Sequence, residues 1–132
     1  MTTLKHFIST TLIAAALAFA AGCENIALDS ANNIGAFNHG EFQGLYNDVK
    51  APVVSEAARE AAKQLGLVEV AFTENKYDSL LIARDQDDLR VDIKVAEANH
   101  RQTRISIRWG KGGDRNRSIQ FYYTVEKILA AK

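Results

Sequence analysis

The sequence predicts an α+β domain: an antiparallel sheet of about five strands with two helices on one face, in the order β-α-β-β-β-β-α. Three observations carry that reading. Leu89, Val91, Ile93 and Val95 alternate strictly with Arg90, Asp92 and Lys94, and Thr103, Ile105, Ile107 and Trp109 alternate with Arg104, Ser106 and Arg108. Alternation of this length marks half-buried strands. The short polar segment around Asn99-His100 joins them, so they form an antiparallel hairpin. Finally, apolar residues recur at helical spacing after Pro52 and again after Asp114. A sheet that is polar on one face offers its other face to both helices.

Each element has its own signal. Residues 41–49 read as the first strand, with Phe42 and Tyr46 on one face and Leu45 on the other. Ala51-Pro52 ends it and starts a helix, because proline's fixed φ fits the first turn and its missing N–H is not needed there. Val54, Ala57, Ala58, Ala61 and Leu65 make one stripe of this helix, and Gly66 suits the left-handed residue that closes it. A stripe of alanines implies close approach to the sheet. Residues 67–74 read as a strand with Val68, Val70 and Phe72 on one face, and residues 79–84 as a short apolar strand. Asp92 is in a position to face Arg104 across the hairpin, depending on register. Gly110-Lys111-Gly112-Gly113 breaks the sheet, and Asp114 is suited to cap the last helix. Its buried stripe is Ser118, Phe121 or Tyr122, Val125, and Ile128 or Leu129.

The N-terminus carries an address. Lys5 precedes an apolar run that closes as Ala18-Phe19-Ala20-Ala21-Gly22-Cys23, the pattern of a secretory signal. The run is shorter than the roughly 20 residues of a spanning helix. Two processing routes fit. Ala20-Ala21-Gly22-Cys23 resembles the lipobox of bacterial lipoproteins, in which the cysteine becomes a lipid-modified N-terminus. Ordinary cleavage after Ala20 would instead leave Cys23 as a free thiol. The chain has 1 cysteine, which can form no intrachain disulfide, and acylation removes an otherwise exposed thiol. This favours lipid attachment at Cys23, most simply as two or more acyl chains of palmitate type, since one chain alone binds a membrane weakly. The residue after the cysteine is Glu24, which favours the outer membrane over the inner. The expected division is a signal peptide over 1–22, a tether over 23–40 rich in asparagine, and one domain over 41–132.

The order of these elements resembles a known family. The helix closing in Leu65-Gly66-Leu67, the strands Val91-Asp92-Ile93-Lys94-Val95 and Ile105-Ser106-Ile107-Arg108, and Gly113-Asp114 before a last helix are similar to the small bacterial lipoprotein-like proteins grouped as domain of unknown function 3568. The resemblance spans roughly residues 40–129 and the leader. It implies an exported, lipid-anchored envelope protein, and it carries over no activity, substrate or catalytic residue.

The residues offer little catalytic equipment. His6, His39 and His100 stand apart from one another and from Cys23, so no metal site is expected. Asp85-Gln86-Asp87-Asp88 lacks the ligand spacing of a calcium loop and reads as a solvated turn. The glycine loop lacks the Gly-Lys-Ser/Thr ending of a phosphate loop and leads into an aspartate. No nucleophile elbow, Cys-His pair or other catalytic motif is found, so no enzyme and no cofactor is expected. Trp109, Tyr122 and Tyr123 fall at core spacing.

Formal net charge is +0, which argues against nucleic acid as a partner. Charge is nevertheless unevenly spread. Residues 99–117 hold six basic residues and one acid, and Arg104, Arg108, Arg115 and Arg117 are candidates for contact with an anionic envelope partner: lipid headgroups, peptidoglycan carboxylates or an acidic protein. The expected function is therefore a non-enzymatic binding or scaffolding domain held at a membrane by its lipid. A small-ligand carrier in the periplasm is the alternative, and an enzyme with an unfamiliar site the third reading.

Overall fold

The computed structural model describes residues 24–27 and 34–132; the leader and Cys23 lie outside the described residues. The chain forms β1 (Glu24–Ala27), β2 (Ile34–Asn38), β3 (Glu41–Asn47), α1 (Ala51–Gln64), β4 (Val68–Glu74), β5 (Asp78–Arg84), β6 (Arg90–Asn99), β7 (Gln102–Trp109) and α2 (Arg115–Ala130). The strands make one antiparallel sheet in the order β1-β2-β3-β7-β6-β5-β4. From β3 onward the elements and their order are those the periodicity predicts. β1 and β2 are additional strands within the stretch expected as tether. Composition does not foretell them, because asparagine and glycine have weak strand propensity and the neighbouring strand edge supplies the order.

Helix boundaries follow from local chemistry. Lys50 contributes no side-chain cap to α1; Pro52 and two bonds onto the Lys50 carbonyl, from Val53 and Val54 N–H, set the first turn. The end is a Schellman turn: Gly66, with φ +75°, donates to Lys63 O, and Leu67 donates to Ala62 O. Asp114 caps α2 by accepting from Arg117 N–H at 3.0 Å.

Both helices cover one face of the sheet and contact each other, α1 over β4, β5 and β6 and α2 over β3 and β7. Val54, Ala57, Ala58 and Ala61 of α1 are buried against Leu81, Ala83, Val91, Ile93 and Val95, and Phe121, Tyr122 and Val125 of α2 join Phe42, Ile105 and Ile107. Inside this layer Ser55 and Ser79 share a hydrogen bond of 2.6 Å, so two buried hydroxyls satisfy each other.

The expected single face for Val68, Val70 and Phe72 is corrected. A bulge between Glu69 and Ala71 inserts one residue, so Phe72 stands opposite core Leu81 while Val68 stands opposite Arg84 on the other side. Val68 and Val70 are exposed. The bulge serves Phe72, which packs on the core and takes the Arg59 guanidinium 4.4 Å above its ring.

Candidate functional site

The face opposite the helices carries no covering element among the described residues. Its rows follow from strand alternation: Gln43 and Leu45 on β3, Arg104, Ser106 and Arg108 on β7, Asp92, Lys94 and Ala96 on β6, Leu80 and Ile82 on β5, Ala71 and Thr73 on β4. Arg104 stands between Leu45 and Ala96, and Lys94 between Ser106 and Leu80, so neither has an acid directly across on either neighbouring strand. Both are exposed, while Leu45, Leu80, Ile82 and Ala96 are half-buried. A shallow hollow of about 380 Å³ beside Lys94 is lined by Thr73, Leu80 and Ala96 with the neighbouring Asn75 and Asp78.

Arg108 shares this face but has a different job. It lies between Glu41 and Asp92 across the strands, and its guanidinium donates to His39 O at 2.9 Å and Lys111 O at 3.3 Å. Those two carbonyls belong to turns that touch backbone to backbone. A Cβ on Gly113 would fall 2.0 Å from Gly40 O, and one on Gly40 would fall 2.5 Å from Gly112 O. The glycine loop is thus a packing surface, stitched to the β2–β3 turn by Arg108. The expected Asp92–Arg104 pair is not formed: the turn at His100 and Arg101, with the bulge between Glu97 and Asn99, sets a register with Asp92 opposite Arg108, and the Asp92 carboxylate accepts from Arg90 at 2.7 Å. Replacing Arg108 with serine is therefore expected to lower stability by about 1–2 kcal/mol, the loss of two bonds from a charged donor. Arg104→Ser should change it by less than about 0.5 kcal/mol. Urea melts of the two variants check the contrast.

Arg115 and Arg117 lie elsewhere, in the first turn of α2. Arg117 is engaged by three carboxylates: Asp85 at 3.0 Å, Asp114 at 3.6 Å and Asp87 at 3.7 Å, with its guanidinium 5.7 Å from the Trp109 ring centre. Arg115 is half-buried. The four candidate arginines thus divide between the open sheet face and the helix layer.

Asp85 departs from the expected solvated turn. Its side chain is 5% exposed. One carboxylate oxygen accepts from Asp87 N–H and Leu89 N–H, each at 2.9 Å; the other accepts from Trp109 Nε1 at 2.8 Å and Arg117 at 3.0 Å. Burial pushes its pKa up, but the Trp109 bond, the two backbone N–H bonds and the Arg117 charge outweigh it and hold the carboxyl below its ordinary value. A cleft of about 230 Å³ opens here, lined by Leu65, Gln86 and Gln120 besides these groups. Its charged atoms hold one another, which makes it a clamp between the β5–β6 turn and α2. Trp109 was legible as core; the partner of its indole N–H was not.

Both remaining histidines among the described residues are exposed, His39 in the β2–β3 turn and His100 in the β6–β7 turn. No three His, Cys, Asp or Glu side chains among the described residues converge as metal ligands would. Sequence reasoning missed Lys94 as a partner of Arg104. The signal was present, since Lys94 and Arg104 both occupy the polar phase of adjacent alternating strands.

Comparison with known families finds that the model described as "Protein of unknown function (DUF3568)" matches residues 6–127. No curated protein matches the chain. The chain belongs to the DUF3568 family.

Proposed function

We propose that this member of the DUF3568 family is an exported protein, acylated at Cys23 and facing the periplasm, whose domain binds an anionic component of the envelope through the helix-free face of its sheet. The observation that carries the reading is the pair of exposed cations, Lys94 and Arg104, set among half-buried apolar side chains on an uncovered surface. The leader and Cys23 support export and anchorage. Among the described residues no helix is long and apolar enough to cross a membrane, so attachment in this reading rests on the lipid. Glu24 after the cysteine supports the outer membrane.

One experiment tests anchor and face together. A photo-crosslinking residue is placed at Ser106, in the middle of the open face, or at Glu60, on the exposed side of α1. After irradiation of intact envelopes, the chain is purified and its mass measured. The expected product begins at an acylated Cys23 and carries adducts from position 106 and not from position 60. An unmodified thiol would refute the anchor, and equal adducts from the two positions would refute the face.

A further inference from the structure

With Cys23 acylated as proposed above, the position of the anchor relative to the sheet narrows the choice of partner. β1 begins at Glu24, the residue after Cys23, and consecutive Cα atoms are about 3.8 Å apart. An acyl group on Cys23 is therefore followed by sheet with no spacer. Adjacent strands lie about 4.8 Å apart, so β7 and β6 stand roughly 14 and 19 Å from β1 across the sheet. A domain held this closely cannot reach a polymer far from the bilayer, and the short span leaves its open face within reach of the headgroups. The face suits that neighbour. It is built from extended strands with no covering element among the described residues, its central cations have no acid across from them, and Leu45, Leu80, Ile82 and Ala96 lie between and beside those cations.

We propose that the helix-free face of the sheet rests on an anionic phospholipid surface, with Lys94 and Arg104 as the cations that contact the headgroups. Arg84 and Arg90, opposite each other at the β5–β6 end of the same face, add to its cations, although each also holds a local contact, to Asp88 O and to Asp92, and the face carries the acids Glu41, Asp78 and Asp92 as well, leaving cations in the majority. The attraction is additive over nearby cations and is screened by salt. Tethering makes it effective, because an anchored domain meets its own membrane at high local concentration.

Reactivity of Lys94 towards an amine-acylating reagent reads this directly, with exposed Lys63 on α1 as the internal standard. The full chain is mixed with an excess of lipid nanodiscs, made either with phosphatidylglycerol or with phosphatidylcholine alone. Excess discs allow the face to be read whether or not the chain inserts. In anionic discs the ratio of Lys94 to Lys63 labelling should fall roughly fivefold or more, as expected for about 1 kcal/mol per cation near an anionic surface. It should recover in high salt, and Arg104→Ser should restore part of it. Equal ratios in the two disc types would overturn the proposal, as would protection in both or protection of Lys63 instead. If the ratios are equal while position 106 still crosslinks to an envelope protein, the binding face stands and its lipid partner falls.

Discussion

Gly44→Ala is expected to cost about 3 kcal/mol of stability, the sum of overpacking and of two strained hydrogen bonds. Gly44 is buried in the middle of β3, and the space where its Cβ would stand is filled by the Tyr122 ring, at 2.6 Å from Cε2 and 2.8 Å from Cδ2. Tyr122 has nowhere to move. It is fully buried, stacked on Tyr46 with centroids 4.7 Å apart and rings 8° from parallel, and edge-on to Phe42. Its hydroxyl donates to Leu45 O at 2.7 Å, and the Tyr46 hydroxyl donates to Tyr122 O at 3.0 Å. Each ring thus bonds the backbone of the other's element, and a shift of Tyr122 loosens both bonds at once. Burial, helped by the neighbouring Tyr122 and Glu126, raises the Tyr46 pKa well above its ordinary value, so its donor persists into alkaline solution. A fall in Tm of roughly 15 °C follows for a domain of this size. Combining Gly44→Ala with Tyr122→Leu should cost less than the two changes added, since the leucine removes the ring that the new methyl strikes. A loss below about 1 kcal/mol in Gly44→Ala would mean that β3 bends away freely, against the packing described.

That lock is invisible to periodicity, although the strand and helix that hold it are not. Phe42, Tyr46 and Tyr122 show as core positions because alternation and helical spacing reveal which side is buried. They do not reveal that a glycine in β3 is the seat of a ring in α2, because that depends on where two distant elements cross. The same limit explains the other differences. Alternation shows Arg104 and Arg108 on one face, but the register set by the turn at His100 and Arg101 and the bulge between Glu97 and Asn99 decides which is free and which is spent on His39 and Lys111 carbonyls. The bulge at Val70 leaves no mark in a run of apolar residues, yet it reverses the face of everything before it. Three aspartates in a turn read as solvated. The first is withdrawn from water because Trp109, at the end of β7, needs an acceptor there.

Asp85→Asn is expected to cost about 2 kcal/mol at pH 7, the scale of losing hydrogen bonds from a nearly buried carboxylate to charged and indole donors. Asparagine retains an oxygen for the N–H groups of Asp87 and Leu89. Its amide nitrogen would then face Trp109 Nε1 and Arg117, donor against donor. The cost depends on pH with a definite sign. The folded chain holds the Asp85 carboxyl below its ordinary value of about 3.9, so near that pH the unfolded chain binds more protons. The stabilisation is complete above that value and is lost as pH falls through the lower, folded one. Wild type should therefore lose stability between about pH 5 and pH 2 more steeply than the variant, and the gap between their urea midpoints should close in acid. Arg117→Gln keeps the Trp109 bond and removes the exposed guanidinium with its bond to Asp85 and its pairs with Asp87 and Asp114, leaving no donor turned against a donor, so its gap at pH 7 should be smaller than that of Asp85→Asn. Two curves offset by the same amount at pH 7 and pH 3 would show that the cost of Asp85→Asn is steric, and that the turn is held by packing and not by its carboxylate.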